Sequence, residues 1–458
     1  MKKTIVALAC IGLSPAVQVV SAAPDGGYPG QNTAEGQSAL LSLTTGTYDT
    51  AVGWFALKSN TTGRFTTATG AGALLSNNIA ISNTANGAFA LFNNDSTGHG
   101  VASWNSAFGT DALFSNTDGF QNSAFGESAL FANTTGHYNT AIGDNALRLN
   151  QTGSGNTAVG YFALYQNTAD GDTAVGFGAL AANTTGDRDA ALGFQAMNHN
   201  IDGSTNTAVG YQALYNGDNS GNTAIGHQAL YSGGGGTNTA VGLWALYSNA
   251  SASSTAVGVD ALVNSTTGGL NTALGYLAGS QITTAANVVC IHHPGANVNH
   301  SCFIGNIRGI TTQNNDSIPV VIDSFGQLGT MSSSRQFKDG IKPMDKASEA
   351  VLALKPVTFH YKNDNTKRPE FGLIAEQVAK VNPDLVVRDK NGDIYTVRYD
   401  AVNAMLLNEF LKEHRTVQKQ QKEIDALKAE LREQKVLIQK VNARLEMSEA
   451  APQVAENN

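Results

Sequence analysis

The chain has 458 residues, too many for one ordinary core and enough for two or three domains. Aromatic residues make up 7% and charged residues 14%, whereas glycine, with 49 copies, exceeds its usual share. The 41% of apolar residues recur at regular intervals, which favours an ordered repeat over disorder. Residues 24–280 contain only four basic residues, so nucleic-acid binding is not expected.

The first 22 residues have the pattern of a secretory signal peptide. Two lysines precede an apolar run, and the small residues Val20 and Ala22 stand before the expected cleavage point. A lipoprotein signal at Cys10 is a weaker alternative because few apolar residues precede it. No later segment approaches 18 apolar residues, so the mature chain is expected to be secreted or at the cell surface without a membrane span.

Residues 31–280 repeat a unit such as NTAVGYFALYQNTADGD. Alanine occurs two residues before and three residues after each repeat glycine, and leucine or methionine follows at four residues in all but the last copy. The residue just before the glycine is apolar in 12 of 15 copies, and asparagine or aspartate stands four before it in 13 of 15. The 15 repeat glycines are Gly36, Gly53, Gly70, Gly87, Gly109, Gly126, Gly143, Gly160, Gly176, Gly193, Gly210, Gly226, Gly242, Gly258 and Gly275.

A unit of 16 or 17 residues predicts one coil of an all-β parallel β-solenoid or β-roll shaft, built from two short strands and two turns. Fifteen coils at about 4.8 Å give a shaft of roughly 70 Å. Glycine permits positive φ or close backbone approach, and stacked asparagines can hydrogen-bond along the shaft. So small a coil cannot bury every apolar column, so one column is expected to face a partner chain.

The repeated NTAVG followed by AL resembles the head repeats of trimeric autotransporter adhesins, although the period here is longer. The resemblance implies a homotrimer of β-rolls. It carries no receptor chemistry, so the shaft is interpreted either as an adhesive surface for a glycan or cell receptor, or as a mechanical spacer.

A glycan-cleaving shaft is the alternative enzymatic interpretation, and it requires two carboxylates about 5–10 Å apart. Asp170 with Asp172, and Asp187 with Asp189, are the candidate pairs. They occupy positions where other copies carry asparagine or threonine turn residues, so turn chemistry explains them more simply.

Residues 281–332 are predicted to be a β-rich transition. Cys290 and Cys302 lie in two short β-like runs, either as a disulfide or as two buried thiols on neighbouring strands. His292, His293 and His300 lie nearby, but their spacing fits no recognisable metal scaffold, and neither a metal nor another cofactor is predicted.

From residue 333 glycine becomes rare and charge rises, which predicts a small α+β domain over residues 333–403. Helical spacing is seen in 345–355 and 371–381, strand alternation in 356–361, and a hairpin signal around the KNGD turn in 385–399. Asp400 is predicted to cap a long helix with a coiled coil over 404–447, followed by a disordered tail over 448–458. The predicted seam comprises Phe410, Val417, Ile424, Leu431, Ile438 and Leu445 at one heptad position, and Leu406, Leu427 and Val441 at the other.

The motifs SSRQFKDGI, ALKPVTFHY, FGLIAEQV and YTVRYDAVNAMLLNEFLKEH, followed by a coiled coil, resemble the self-cleaving intramolecular chaperone domain of phage endosialidases and tail fibres. The resemblance covers residues 333–447. It implies Ser333 as the nucleophile and Lys338, five residues later, as the general base of a single-turnover serine autoprotease. Ser334 stands where phage members of the family usually carry an acidic residue, and Gln336 stands where many relatives have a second basic residue.

The sequence therefore predicts an exported trimeric fibre or adhesin-like protein whose C-terminal chaperone directs assembly and cuts the Ser332–Ser333 bond. A fibre with a non-cleaving chaperone and a glycan-active, tail-spike-like enzyme are the alternatives.

Overall fold

A computed structural model describes residues 28–449 of the chain, except for 309, 311, 313–316, 324–325, 363 and 390. The predicted signal peptide (1–22) and residues 450–458 of the predicted tail lie outside the described residues. The chain divides into two compact units, residues 1–311 and 312–458.

The first unit is a parallel β-solenoid, as the sequence predicts. Each coil contributes one three-residue strand, and each strand pairs in parallel with the strand of the next coil, so that Ala158 faces Ala174 and Val159 faces Val175. The strands are β1 Thr33–Glu35, β2 Thr50–Val52, β3 Thr67–Thr69, β4 Thr84–Asn86, β5 Ser106–Phe108, β6 Ser123–Phe125, β7 Thr140–Ile142, β8 Thr157–Val159, β9 Thr173–Val175, β10 Ala190–Leu192, β11 Thr207–Val209, β12 Thr223–Ile225, β13 Thr239–Val241, β14 Thr255–Val257, β15 Thr272–Leu274, β16 Val289–Ile291 and β17 Cys302–Ile304.

The expectation of two strands per coil is wrong, because the backbone turns left-handed soon after each repeat glycine. In the coil of Gly160, Phe162 has φ 57° and Leu164 has φ 50°. Residues with positive φ cannot continue a strand. The turns nevertheless stack in register: the Leu164 N–H donates to the Ala179 carbonyl of the next coil at 3.0 Å.

The sheet also continues past residue 280. Strands β16 and β17 pair with the shaft in the same parallel register, so the predicted transition segment of residues 281–332 begins with two further rungs.

The interior of each coil has room for two alanines and one leucine. In the coil of Gly160 these are Ala158, Ala163 and Leu164, all fully buried. The residue just before the glycine points outward, and Leu192 at this position is 50% exposed. We call this position the outer column. It is an apolar column that the coil does not bury.

Two buried asparagine columns satisfy backbone groups inside the shaft. Four residues before the repeat glycine, the Asn139 Oδ1 atom accepts the Asn156 backbone N–H at 2.9 Å. Seven residues after the glycine, Asn133 Nδ2 donates to Asn116 Oδ1 at 2.8 Å and to the Gly136 carbonyl at 3.0 Å. Most of these amides thus complete hydrogen bonds that a water-free interior would otherwise leave unmade. The buried amide atoms without a partner among the described residues are Asn150 Oδ1, Asn200 Oδ1 and Asn206 Nδ2.

The repeat glycines allow adjacent coils to approach closely. Gly160 has φ 136°, and a Cβ atom added there would lie 2.5 Å from the carbonyl oxygen of Gly176 in the next coil. Gly155 also has positive φ, 71°, but a Cβ atom there would meet no atom within 4 Å.

We predict that Gly160→Ala lowers the free energy of unfolding by roughly 3 kcal/mol or more, because backbone strain and a steric clash with the next coil add. Gly155→Ala is the matched control, because it introduces backbone strain without a steric clash. It should lower the free energy of unfolding by about 1 kcal/mol. Denaturant unfolding followed by circular dichroism measures both. Equal losses for the two variants would contradict the close-approach explanation.

The second unit is a small α+β domain followed by one long helix. Its strands form three antiparallel hairpins: β18 Val320–Ile322 with β19 Leu328–Thr330, β20 Val357–Phe359 with β21 Glu370–Gly372, and β22 Val386–Arg388 with β23 Ile394–Val397. Its helices are 3₁₀ helices Arg335–Phe337, Asp345–Ala353 and Pro383–Leu385, α1 Ala375–Val381 and α2 Tyr399–Glu449.

The predicted elements are present with shifted boundaries. The hairpin around KNGD lies where the sequence predicts it, whereas the FGLIAEQV segment begins as β21 and becomes α1 only at Ala375. Asp400 does not precede the long helix but lies in its first turn, where a carboxylate favours the positive end of the helix dipole. Among the described residues, no helix is both long and apolar enough to cross a bilayer.

Candidate processing site

The two residues predicted to form the catalytic dyad contact each other. Lys338 Nζ donates a hydrogen bond to Ser333 Oγ at 3.0 Å. A base must lie within hydrogen-bonding reach of the proton it removes, and this pair meets that requirement.

A short turn brings the five-residue spacing together. The Phe337 N–H donates to the Ser334 carbonyl and the Lys338 N–H to the Arg335 carbonyl, both at 3.1 Å, across the 3₁₀ helix Arg335–Phe337. The turn reverses the chain, so the lysine side chain reaches back to the serine. Ser332 Oγ also accepts the Ser334 N–H at 3.3 Å, which fixes the residue before the predicted cut.

The dyad is open to solvent in a single chain. Ser333 and Lys338 are exposed, and Phe337 between them in sequence is 67% exposed, so this ring does not shield the pair from water. The Asp339 carboxylate accepts the Gly340 N–H at 2.7 Å, and in the described part of the chain no ion pair joins it to Lys338.

A second serine–lysine contact, which the sequence analysis missed, has a different environment. Ser348 is fully buried, and its hydroxyl accepts hydrogen bonds from Asn408 at 2.7 Å and Lys412 at 3.3 Å. The hydrogen bond from Lys412 to Glu409, at 2.7 Å, raises the pKa of Lys412 and lowers that of Glu409. An ammonium held in this way cannot act as a base, so Ser348 fastens the 3₁₀ helix Asp345–Ala353 to α2. The 64-residue separation left no local signal for this pair.

The comparison with known families matches one segment of the chain, which includes Ser333 and Lys338. Residues 333–387 match the family described as chaperone of endosialidase. The match begins at Ser333, the residue predicted to follow the cut, and ends before the long helix α2. No curated protein and no solved structure matches the chain significantly. The resemblance of the repeats to adhesin heads therefore has no support beyond the β-solenoid itself.

The carboxylates considered for glycan cleavage do not form an open pair. Asp172 and Asp189 are buried in the asparagine column four residues before the glycine, where Asp172 Oδ1 accepts the Asp189 N–H at 2.9 Å. Asp170 Oδ1 accepts the Ser154 N–H at 2.7 Å and Asp187 pairs with Arg188 at 2.6 Å, both at turns. The buried pair belongs to the shaft interior rather than to a groove.

Burial raises the pKa of Asp172 to about 7 and that of Asp189 to about 7, since removal from water disfavours the charged form. An aspartate normally titrates near 3.8. Because the folded pKa values are raised, the folded state is favoured at low pH, and this contribution is lost as pH rises from about 4 to about 7.

We predict that the shaft is less stable at pH 8 than at pH 5, by an amount on the order of 3 kcal/mol. The double variant Asp172→Asn/Asp189→Asn should remove most of this difference, because asparagine occupies the same column in neighbouring coils. The exposed Asp202→Asn serves as the control and should keep the native pH dependence. Thermal unfolding at both pH values tests this, and an unchanged pH dependence in the double variant would contradict it.

Cys290 and Cys302 are free thiols. The register pairs Cys302 with Val289 and Cys290 with Phe303, so the two cysteines are one position out of step. Cys290 is buried and Cys302 is exposed, so the expectation of two buried thiols fails for Cys302. His293 stacks on Phe303, and no cluster of three metal-ligating side chains occurs among the described residues.

Proposed function

We propose that the chain is an exported trimeric fibre protein whose C-terminal chaperone gathers three copies and then cuts the Ser332–Ser333 bond. The observation that carries the proposal is the Ser333–Lys338 hydrogen bond, located where the family match begins and after a β-solenoid shaft. Export rests on the N-terminal sequence pattern alone.

The long helix supports assembly of several copies. Its predicted seam side chains are exposed in the single chain: Phe410 is 66% and Leu431 67% exposed. An apolar heptad seam of this length requires partner helices to cover it. Glu413, Gln420 and Gln434 lie within the seam, and such polar layers specify register at a cost in stability.

The shaft supports assembly independently. From Phe108 to Ile304 every coil carries an apolar residue in the outer column, among them Ile142 (43% exposed) and Leu274 (51% exposed). A continuous apolar ribbon along one strand face is uncommon on a monomer. Identical chains in register would place these columns against one another, and the proposed trimer covers them about a three-fold axis.

The proposed cut follows from the geometry of the dyad. Lys338 in its neutral form takes the Ser333 hydroxyl proton while Oγ attacks the Ser332 carbonyl carbon. The C–N bond between Ser332 and Ser333 breaks as the nitrogen gains a proton, which leaves Ser332 as an ester on Ser333 Oγ. Water then hydrolyses the ester and gives a Ser332 carboxylate and a free Ser333 amine and hydroxyl.

A lysine is deprotonated near neutral pH only where water is excluded. Because Ser333 and Lys338 are exposed in the single chain, we propose that neighbouring copies cover them and that cleavage follows assembly. This order keeps the chaperone attached until the coils have paired. Its removal afterwards leaves a fibre that cannot easily dissociate and refold, which is kinetic stability.

We predict that the purified chain yields a fragment of residues 333–458, which is 126 residues, beginning with a free Ser333 amine. Ser333→Ala and Lys338→Ala should each abolish it, whereas Ser334→Ala should leave it in place. Intact-mass spectrometry measures all four proteins. An uncut native chain would favour the alternative, a chaperone that folds the fibre without cleaving.

We also predict that Leu431→Glu, which places a charge in the seam, prevents trimer formation of the Ser333→Ala chain. Lys422→Glu changes charge on the outer side of the same helix and should leave the trimer intact. Sedimentation equilibrium gives the mass of each. In the otherwise native chain, Leu431→Glu should slow cleavage at least tenfold, and unaltered cleavage would show that the dyad acts without assembly.

A further inference from the structure

The shaft has a column of stacked side chains that is interrupted in its middle. The column, which we call the ring column, lies five residues after each repeat glycine. Phe114 stacks on Phe131 with centroids 5.2 Å apart, and Tyr215 stacks on Tyr231 at the same distance. From the coil of Gly87 to the coil of Gly242, the residues of the ring column are Phe92, Phe114, Phe131, Arg148, Tyr165, Ala181, Asn198, Tyr215, Tyr231 and Tyr247.

The interruption forms a cavity. The coil of Gly176 carries Gly178, Ala181 and Ala182 where the preceding coil has Phe162, Tyr165 and Gln166. A surface cavity of about 500 Å³ results, which we call the notch. Its lining around these small residues comprises Phe162, Tyr165, Gln166, Phe177, Asn198 and His199. Coils stack about 4.8 Å apart, so the side chains on either side of the notch are roughly 10 Å apart, enough for one six-membered ring between them.

The notch has a rigid aromatic floor. Tyr165 packs edge-on against Phe162 at 4.8 Å, and its hydroxyl accepts a hydrogen bond from Arg148 Nη1 at 3.1 Å. With alanine at position 181, no ring of the described residues stacks on the face of Tyr165 that turns toward the next coil. In the ladder from Tyr161 through Phe177 and Phe194 to Tyr211, each ring stacks on the next, so the ring faces between neighbours are not available to a ligand.

The walls of the notch offer polar groups without formal charge. Asn198 Nδ2 donates to the Gly178 carbonyl at 2.6 Å, and in the described part of the chain its Oδ1 atom has no partner. The Gln166 amide is exposed, and His199 is held edge-on against Tyr215 at 4.6 Å. A wholly apolar ligand would leave these groups desolvated and unpaired, which costs binding energy.

We infer that this notch binds one pyranose ring of a neutral saccharide. The apolar face of the sugar stacks on Tyr165, and its hydroxyl groups exchange hydrogen bonds with Asn198, Gln166 and His199. This inference gives the shaft a binding role in addition to its structural one, and it rests on the proposed fibre. The absence of carboxylate and cationic side chains from the lining disfavours a charged ligand.

The test uses the full-length Ser333→Ala chain, which retains shaft and chaperone in one piece. Saturation-transfer difference NMR is recorded with methyl glucopyranoside, methyl galactopyranoside, methyl mannopyranoside and N-acetylglucosamine, and with phenol as a flat aromatic probe. We expect millimolar binding of at least one glycoside. Binding of phenol in preference to every glycoside would overturn the saccharide assignment, as would no binding of any probe.

Variants locate the site. Ala181→Tyr fills the gap with the side chain that the preceding coil carries and should abolish binding, whereas Val263→Tyr introduces a tyrosine at the corresponding position of a coil far from the notch and should not. Tyr165→Ala removes the ring on which the sugar stacks and should weaken glycoside binding about tenfold. This variant replaces Ala181→Tyr in the test if the Ala181→Tyr chain does not assemble. Glycoside binding that survives both notch variants would place the site elsewhere. Sedimentation of the same samples shows whether the fibre is assembled, so a missing sugar site is distinguishable from a failed fibre.

Discussion

Coil-on-coil hydrogen bonding is the constraint on which the shaft depends. Strand residues pair with the coils on either side, and the turn amides donate to the adjacent coil as well. Such contacts form only between coils that are already stacked, so an isolated coil has almost nothing to stabilise it. The repeat glycine makes the stacking possible, because at Gly160 the next carbonyl occupies the space that a side chain would need.

The same constraint explains why the interior is so uniform. Little fits inside a coil except methyl groups and a leucine, and the amides that line the remaining interior must bond with the coils above and below. Asp172 and Asp189 replace asparagine in one of the buried asparagine columns. They keep the hydrogen-bond geometry of the column, but burial disfavours the charged form of their carboxyl groups. The outer column is a part of the pattern that a single coil leaves exposed, and in the proposed trimer the other copies of the chain would cover it.

Most of this architecture could be predicted from the sequence, because the same pattern of residues recurs in fifteen copies of the repeat. The alanine, leucine and asparagine positions follow from period and chemistry, and the KNGD hairpin follows from a strong turn signal. The second strand of each coil was predicted wrongly, since nothing in residues such as Phe162 and Leu164 marks them for left-handed φ, a conformation that tertiary stacking imposes. The notch at Gly178 also could not be read from sequence, because a missing side chain becomes a cavity only when its neighbours are aligned.

The dyad could be predicted only in part. A serine and a lysine five residues apart are common in proteins, so the spacing of Ser333 and Lys338 predicts nothing without the family resemblance. The 3₁₀ turn that brings the two side chains together is seen only in the structure. The Ser348–Lys412 contact shows how little such a pair signifies alone, since a neighbouring carboxylate makes it structural. The two pairs differ in environment, because Ser348 is buried beside a carboxylate, whereas Ser333 and Lys338 are exposed and no ion pair of the described residues includes Lys338.

The central claim is that one chain supplies only part of each apolar seam and that copies of the same chain complete it. Native mass spectrometry of the purified Ser333→Ala chain tests this most directly. The account predicts a particle of three copies and no folded monomer when the protein is diluted. A monomer that keeps its β-solenoid circular dichroism and its unfolding temperature at low concentration would contradict it.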